Sequence, residues 1–282
     1  MKVIQEIENG TSSGLDLLRD TSRDRLTLCF PGVGSAFARK NNPTCLIIAK
    51  GGQTILVDAG TSIPNALETR GIAITAFDYY HITHSHADHI GGLEELLLYS
   101  HYVLDKKPRM ILTENYRDLL WERSLRGGCE HAVDGTLGFD DLAEFVLPSQ
   151  VASEPRELYE VEVAGVKLTI FRTVHIPTGE DTTRSAFWST GLLIDDRVLF
   201  TADTRFDPAL FDQLPMDGVE VIFHDCQLYD PGVVHPTYTD LKTLDAGLRS
   251  KMHLTHYGDT FEEFDPASDG FAGFARPWAM YQ

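Results

Sequence analysis

Residues 81–91, with the sequence HITHSHADHIG, constrain this chain more than any other segment. Within six positions they bring together four side chains that can bind metal: His84, His86, Asp88 and His89. Buried imidazole and carboxylate groups are costly without partners, and divalent cations can satisfy all four. Neighbouring ligands that point in different directions indicate two ions rather than one. Further candidates occur far along the chain, at His175, Asp203 and His256. The pattern predicts a dinuclear metallohydrolase.

The composition is strongly acidic, with 24 Lys and Arg against 42 Asp and Glu and a formal net charge of −18. Nucleic-acid-binding surfaces normally need an excess of positive charge. A large nucleic acid is therefore an unfavourable partner, although local basic patches occur at residues 39–40 and 106–109. Bound divalent ions would offset part of the negative charge in a pocket, so a small anionic substrate remains compatible with the composition.

The cysteines and the apolar segments indicate a cellular location. No CxxC pair is present, and the four cysteines are scattered at Cys29, Cys45, Cys129 and Cys226. Such spacing is typical of free thiols in a reducing cytosol. The first eight residues lack the apolar core of a signal peptide, and no apolar run is long enough to span a bilayer. We therefore expect a cytoplasmic protein without a membrane partner.

Short apolar runs alternate with helical patterns along the whole chain. The predicted strands are residues 25–30, 44–49, 54–58, 79–83, 109–113, 166–172, 186–194, 198–201, 219–223 and 251–255. The predicted helices are residues 63–69, 93–99, 115–123, 140–145 and 238–248. This mixture indicates a layered α/β architecture. We expect a single domain over residues 1–282, with a helical insertion or cap at about 114–155.

Each candidate ligand follows a predicted strand, so rigid strands deliver the ligands to loops, as a preorganised metal site requires. We predict that one ion is bound by His84, His86 and His175. The other ion would be bound by Asp88, His89 and His256, and Asp203 would bridge the two. Nitrogen-rich ligation favours Zn²⁺, and the ligand types also admit Mn²⁺ or iron. A shared water or hydroxide would complete each coordination shell.

The motif His84-x-His86-x-Asp88-His89, with a later histidine, an Asp-Thr step and a final histidine, resembles the metallo-β-lactamase superfamily. The resemblance extends from residue 32 to about residue 259 and implies a four-layer αββα sandwich with the site at one edge of the two sheets. It also implies that Asp58, in the segment 55–60, supports a ligand histidine. Alternatively, Asp58 is a turn residue before Gly60 and does not support a ligand.

Finer features distinguish branches of this superfamily. Asp203 stands where the main class of zinc β-lactamases carries cysteine, and His86 stands where flavodiiron proteins use glutamate. Segments 32–37 and 201–205 resemble ribonuclease Z-like phosphodiesterases. In that branch a carboxylate and a histidine, here Asp225 and His235, cooperate in protonating the leaving oxygen. Alternatively, His235 is a loop histidine beside Pro236 and takes no part in proton transfer.

Segments 34–37, 224–227 and 256–259 resemble the anti-Pycsar cyclic-nucleotide phosphodiesterases of this branch. The resemblance implies hydrolysis of 3′,5′-cyclic nucleotides to nucleoside monophosphates by a metal-bridging hydroxide, which Asp88 would orient. It also implies a homodimer that binds a small anionic nucleotide. No substrate-binding residue is assigned, although several aromatic side chains could stack on the base or pack in the core: Tyr79, Tyr80, Trp188 and Tyr238.

Other functions remain open. One is a ribonuclease Z-like endonuclease acting on tRNA or other RNA 3′ ends, although the chain has no basic, glycine-rich arm. Another is a metalloprotein that binds a nucleotide without cleaving it. A thioester or lactone hydrolase is a further alternative, because the same ions activate water toward carbonyl groups.

Overall fold

The computed structural model describes residues 1–11, 13–133, 135–177 and 186–282. The chain divides into two compact units. The first comprises residues 2–32, 45–148 and 278–282. The second comprises residues 33–44 and 149–277 together with Met1. Each unit contains its own sheet and its own part of the candidate ligand set. The predicted single domain with a cap at 114–155 stays a prediction.

Among the described residues, the first unit contains an eight-stranded sheet with the order β1-β18-β2-β3-β4-β5-β6-β9. Its strands are β1 (Val3–Glu6), β2 (Thr27–Gly32), β3 (Cys45–Lys50), β4 (Gln53–Val57), β5 (Tyr79–His81), β6 (Arg109–Ile111), β9 (Glu144–Val146) and β18 (Ala279–Tyr281). A separate hairpin consists of β7 (His131–Ala132) and β8 (Gly135–Thr136). Strands β4, β5, β6 and β9 run parallel. Their carboxyl ends therefore meet at one edge of the sheet, where the 81–91 segment begins.

Most helices of the first unit bury apolar residues, whereas the short helix α3 buries Asp88 and His89. They are α1 (Gly14–Thr21), α2 (Ile63–Glu68), α3 (Ala87–Ile90), α4 (Leu93–Tyr102), α5 (Glu114–Leu120), α6 (Arg126–Cys129) and α7 (Phe139–Leu142). Helix α4 buries Leu93, Leu96 and Leu97, the spacing of one helical face. A π-helical turn, Trp121–Leu125, joins α5 to α6. In the part of the chain that the structure describes, no helix has the length and apolarity needed to cross a bilayer.

The second unit contains another eight-stranded sheet, counted over its described residues, in simple chain order. Its strands are β10 (Ser149–Ala152), β11 (Leu158–Val163), β12 (Val166–Arg172), β13 (Thr190–Ile194), β14 (Val198–Phe200), β15 (Val221–Asp225), β16 (Met252–Thr255) and β17 (Gly273–Phe274). Strands β10 to β14 are antiparallel, and β14 to β17 are parallel. Helices α8 (Tyr238–Leu241) and α9 (Ala246–Arg249) precede β16. The carboxyl ends of β14, β15 and β16 thus lie side by side.

Each of the ten predicted strands has an observed counterpart, within a few residues at the ends. Two helix predictions are wrong in part. Residues 144 and 145 of the predicted helix 140–145 belong to strand β9 instead, because this strand pairs in register with β6. The predicted helix 238–248 is two short helices, and the side chain of Asp245 caps the second by accepting the Gly247 N–H at 2.7 Å.

Candidate metal-binding site

In the first unit, the 81–91 segment runs from the end of β5 into helix α3. His84 and His89 are completely buried, and Asp88 is 8% exposed. His86 is half-buried and forms the N-cap of α3. The motif was predicted to be a loop, but Asp88 and His89 lie on this short helix. The helical turn places the two residues next to each other, with His89 Nε2 3.3 Å from Asp88 Oδ2.

Asp58 is the residue that holds this segment in place. It follows β4 directly and is 1% exposed. Its carboxylate accepts the backbone N–H of Thr83 at 2.8 Å, the Thr83 hydroxyl at 2.8 Å and the Nδ1–H of His89 at 2.7 Å. Because Nδ1 of His89 carries the proton, the Nε2 lone pair is available to a metal ion.

Thr83 fixes the tautomer of His84 in the same way. Its hydroxyl proton is donated to Asp58, so its oxygen can only accept a hydrogen bond from His84 Nδ1, at 3.1 Å. The lone pair of His84 is therefore on Nε2, which lies 3.1 Å from Nδ1 of His86. Thr83 was not among the predicted site residues, and a hydroxyl directly before His84 was its signal in the sequence.

The donor atoms of the first unit fit a divalent cation. Two nitrogens that bind one tetrahedral zinc at the usual bond lengths stand roughly 3.3 Å apart. The 3.1 Å between the ring nitrogens of His84 and His86, and the 3.3 Å between His89 and Asp88, match this spacing. A lone-pair nitrogen and a carboxylate oxygen this close repel each other unless a proton or a cation is shared.

In the second unit, three candidate ligands follow three different strands and converge. His175 comes after β12, Asp203 after β14 and His256 after β16, and all are at most 3% exposed. The Nε2 atoms of His175 and His256 lie 3.8 Å and 3.4 Å from the same Asp203 oxygen, Oδ2. Asp203 is thus placed to share a cation with either histidine.

Backbone and hydroxyl groups orient these ligands. Nδ1 of His175 donates to the carbonyl of Val234 at 3.0 Å, so Nε2 carries the lone pair with which a metal could be bound. Burial lowers the pKa of His175 despite the opposing charge of Asp203, which favours the neutral imidazole that a metal requires. The backbone carbonyl of Asp203 accepts the hydroxyls of Thr173 and Ser189 at 2.9 Å and 3.1 Å.

Asp225, the last residue of β15, is the second buried carboxylate with several partners. Its Oδ2 accepts the backbone N–H of Thr204 at 3.0 Å and lies 2.8 Å from Nδ1 of His235. Its Oδ1 lies 3.4 Å from Nδ1 of His256. Burial acts to raise the pKa of Asp225, but His235 and His256 outweigh it and leave the pKa lowered. Burial likewise acts to lower the pKa of His235, and the charge and hydrogen bond of Asp225 reverse this and raise it.

The backbone adopts the left-handed conformation at three residues that are candidate ligands or support or adjoin them. Asp58, Ala202 and His256 have φ angles of 64°, 48° and 57°. Non-glycine residues adopt this conformation at a cost of about 1–3 kcal/mol each, and such residues concentrate at functional sites. Here the strain turns the chain sharply at strand ends, so that the side chains of Asp58, Asp203 and His256 reach their partners.

The aromatic candidates for base stacking differ in their burial and in their contacts. Tyr80 and Tyr238 are buried, and their hydroxyls donate to the Ile74 carbonyl and to Asp269, both at 2.8 Å. The Arg172 guanidinium packs over Trp188 at 4.2 Å. Tyr79 is the first residue of β5, at the sheet edge opposite the 81–91 segment. Core packing therefore accounts for Tyr80 and Tyr238.

Sequence comparisons give one consistent result. The family model of the anti-Pycsar protein Apyc1 matches residues 26–281. An anti-Pycsar protein Apyc1 from Paenibacillus harenae is 35% identical over 252 residues, which are 89% of this chain and 97% of that protein. Another, from Paenibacillus sp. (strain J14), is 35% identical over 258 residues, which are 91% of this chain and 98% of that protein.

Comparison with solved structures concerns the fold. The metallo-β-lactamase fold protein YhfI from Bacillus subtilis has a TM-score of 0.66 at 13% identity, covering 92% of this chain and all of its own. A diphosphatase of the PhnP family has a TM-score of 0.61 at 14% identity, covering 92% and 98%. The short form of human tRNase Z has a TM-score of 0.57 at 18% identity, covering 91% and 98%. These likenesses confirm the predicted metallo-β-lactamase fold.

Proposed function

Because the chain belongs to the anti-Pycsar Apyc1 family, we propose that it is a metal-dependent hydrolase that converts 3′,5′-cyclic nucleotides to nucleoside monophosphates. The observation that carries this proposal is the pairing of Asp225 with both a candidate metal ligand, His256, and a histidine outside the predicted ligand set, His235. One carboxylate thereby links metal binding to a proton donor, the two requirements of phosphodiester hydrolysis.

We further propose that the two ligand sets bind one pair of divalent ions. The first unit offers four donors and the second offers three. Two catalytic ions need about four protein ligands or fewer each, so the donors of both units together suit one pair of ions. The assignment keeps its predicted form, with His84, His86 and His175 on one ion, Asp88, His89 and His256 on the other, and Asp203 shared. Nitrogen-rich ligation favours Zn²⁺. When bound, the pair would lower the pKa of water and neutralise the phosphoryl oxygens.

The remaining chemistry falls to side chains of the chain itself. His235, protonated on both nitrogens while Asp225 accepts from Nδ1, would donate its Nε2 proton to the departing 3′ oxygen. Asp225 would stay ionised throughout and hold the imidazolium. Asp88 would orient the attacking water and take up its proton. Breaking the O3′–P bond in this way yields a 5′-monophosphate and a neutral 3′ hydroxyl.

The surroundings of the enzyme are also part of the proposal. A small anionic nucleotide as substrate agrees with the net charge of −18, which disfavours a large polyanion. A reducing cytoplasm agrees with four buried free cysteines: Cys29, Cys45, Cys129 and Cys226. A homodimer is proposed from the family resemblance, and its measurement is the molar mass of the protein in solution.

The test is an incubation of the metal-replete protein with cyclic AMP, GMP, CMP and UMP, followed by separation of the products. We expect a nucleoside 5′-monophosphate from at least one of them. His235→Ala is expected to lose this turnover while retaining metal, and His131→Ala, which removes an exposed histidine of the β7–β8 hairpin, is the matched control. No turnover of any cyclic nucleotide by protein that holds both ions would reject the proposal.

The other candidate functions predict different results. A ribonuclease Z-like endonuclease would cleave precursor tRNA, and its RNA binding would weaken steeply with salt. A nucleotide-binding protein would retain ligand affinity in Asp88→Asn and show no turnover in the unmodified chain. A thioester or lactone hydrolase would act on carbonyl substrates in the same metal-replete preparation.

A further inference from the structure

The first unit contains a cavity of about 240 Å³ whose lining is rich in cations. It is lined in part by Thr75, Asp78, Ser100, Lys106, Lys107 and Arg109. Arg109 begins β6, and Asp78 directly precedes β5, which is parallel to β6. The cavity therefore lies at the amino ends of these strands, on the sheet edge opposite the candidate ligands of the 81–91 segment. The cavity and the candidate metal ligands of the 81–91 segment are thus separate sites in the same unit.

The cations of this cavity are Lys106, Lys107 and Arg109. Among the residues that the structure describes, no carboxylate lies within the 4.0 Å of an ion pair from Lys106, Lys107 or Arg109. Lys106 Nζ donates to the Thr75 carbonyl at 3.1 Å, and Lys107 Nζ donates to the Asp140 carbonyl at 2.6 Å. Carbonyl oxygens orient the two ammonium groups without cancelling their charge, and each ammonium has two further N–H groups to donate.

Arg109 is held in a fixed orientation as well. Its guanidinium packs over the Tyr79 ring at 4.3 Å, and its Nη1 atom donates to the Tyr79 hydroxyl at 3.2 Å. The other N–H groups of the fork remain available. A guanidinium that is already ordered loses less side-chain entropy when it binds an oxyanion in the geometry of its fork.

The one carboxylate in the lining is already neutralised. Asp78 Oδ2 pairs with Arg19 at 3.1 Å and also accepts the backbone N–H and the hydroxyl of Thr54, at 2.9 Å and 3.0 Å. The fully buried hydroxyl of Ser100, another lining residue, has no hydrogen-bond partner among the residues that the structure describes. The cavity therefore carries a net positive charge and a hydroxyl that can still form a hydrogen bond.

We propose that this cavity binds the phosphate group of a small phosphorylated anion, either inorganic phosphate or a phosphate monoester such as a nucleoside monophosphate. Three like charges gathered without a counter-ion, in a chain with a net charge of −18, are stabilised when an anion neutralises them. A phosphate dianion matches this requirement, because it offers several acceptor oxygens to the ammonium and guanidinium donors. The proposal is independent of the proposed hydrolase activity.

The test is hydrogen–deuterium exchange of the metal-replete, full-length protein during titration with inorganic phosphate and, separately, with AMP. Binding at the cavity is expected to protect residues 73–80 and 100–111, with half-saturation at about 1 mM or below. Because exchange is measured segment by segment, protection of these residues distinguishes phosphate bound in the cavity from phosphate bound at the metal ligands. A lower half-saturation for AMP than for phosphate would identify a monoester as the ligand, and equal values would identify free phosphate.

Lys106→Gln combined with Lys107→Gln is expected to raise the half-saturating concentration about tenfold or more. Arg109→Gln alone is expected to act in the same direction. The matched control combines Arg23→Gln with Lys242→Gln, which removes two exposed charges elsewhere and should leave the titration unchanged. The proposal is overturned if residues 100–111 gain no protection, if the lysine variant titrates like the unmodified protein, or if chloride at equal ionic strength protects equally.

Discussion

In each unit a buried carboxylate holds candidate ligands in place, but the partners of the two carboxylates differ. In the first unit, Asp58 accepts hydrogen bonds from Thr83 and His89, and all three of these hydrogen bonds shape one short segment. In the second unit, Asp225 accepts from Thr204 and lies against two histidines, His235 and His256. Only one of these two is a predicted ligand.

The difference indicates a division of roles. Asp58, whose partners are the candidate ligand His89 and the backbone N–H and hydroxyl of Thr83, can only position the ligand. A carboxylate that also pairs with His235 can hold a charged imidazole, since its own pKa is lowered and that of His235 is raised. We therefore expect Asp58 to act on metal affinity alone and Asp225 to act on both metal affinity and turnover. Substitutions in the two units test this contrast.

The largest effect is expected from removing one ligand of either set. His86→Ala and Asp203→Ala should each lower the metal content and reduce cyclic-nucleotide hydrolysis to background, because both sets are proposed to bind the same pair of ions. Elemental analysis and product separation measure the two outcomes. The controls are His131→Ala and Asp212→Ala, which alter exposed residues of the same types. Full metal occupancy and normal turnover in His86→Ala would show that the first set is not part of the active centre.

The next effect is expected from His235→Ala. Loss of a general acid should lower kcat by about 10²–10⁴-fold, with the metal content unchanged. The ligand atoms of His235, Asp225 and His256 all lie within 4.8 Å of one another, so metal binding by this group is the competing explanation. Elemental analysis of the variant separates the two. Loss of metal together with activity would make His235 a ligand rather than a proton donor.

A smaller effect is expected from changing either supporting carboxylate to its amide. Asp58→Asn and Asp225→Asn should each weaken metal binding by about 10–100-fold, because the imidazole is no longer held in its metal-binding tautomer. Saturating metal should restore turnover in Asp58→Asn but not in Asp225→Asn, where His235 has also lost its partner. Titration of activity against free Zn²⁺ is the measurement, with Asp212→Asn as the control. Equal recovery of both variants would contradict the division of roles.

The same contrast shows what could be predicted from the sequence. Four ligands of the first set are nearly contiguous, so residue types and spacing alone identified them. The members of the second set follow β12, β14 and β16, and the strand order of the sheet brings the ends of these distant segments together. Its members were singled out only because the first set existed, and Asp225 and His235 required a family resemblance.

Some contacts had no signal that sequence reasoning could use. The partner of His175 is the backbone carbonyl of Val234, and any residue type supplies a carbonyl. The pairing of strands could not be predicted from the sequence either. Residues 144–146 form a strand because they pair with β6, which lies beside them. Local propensity there suggested a helix, and tertiary pairing overrode it.

The smallest effect concerns His253, a histidine of β16 whose pKa is lowered, in contrast to the raised pKa of His235. Burial, ahead of every other cause, lowers the pKa of His253 to about 4, although a hydrogen bond to the Phe274 backbone opposes it. The folded state therefore favours neutral His253, while an unfolded chain protonates it near the usual value of about 6.5. Stability from this group is complete above the unfolded pKa and is lost as the pH falls toward 4. The free energy of unfolding should drop by roughly 1–2 kcal/mol between pH 7 and pH 5 from this residue.

His253→Gln removes the titrating group, and the drop between the two pH values should shrink by that amount in urea denaturation. Buried His81 and His224 also have lowered pKa values and contribute equally to both proteins, so the difference between them isolates His253. His131→Gln, at an exposed position, should denature like the unmodified chain at either pH. An unchanged drop in His253→Gln would mean that this imidazole gains a partner for its charged form in the folded state, as His235 does.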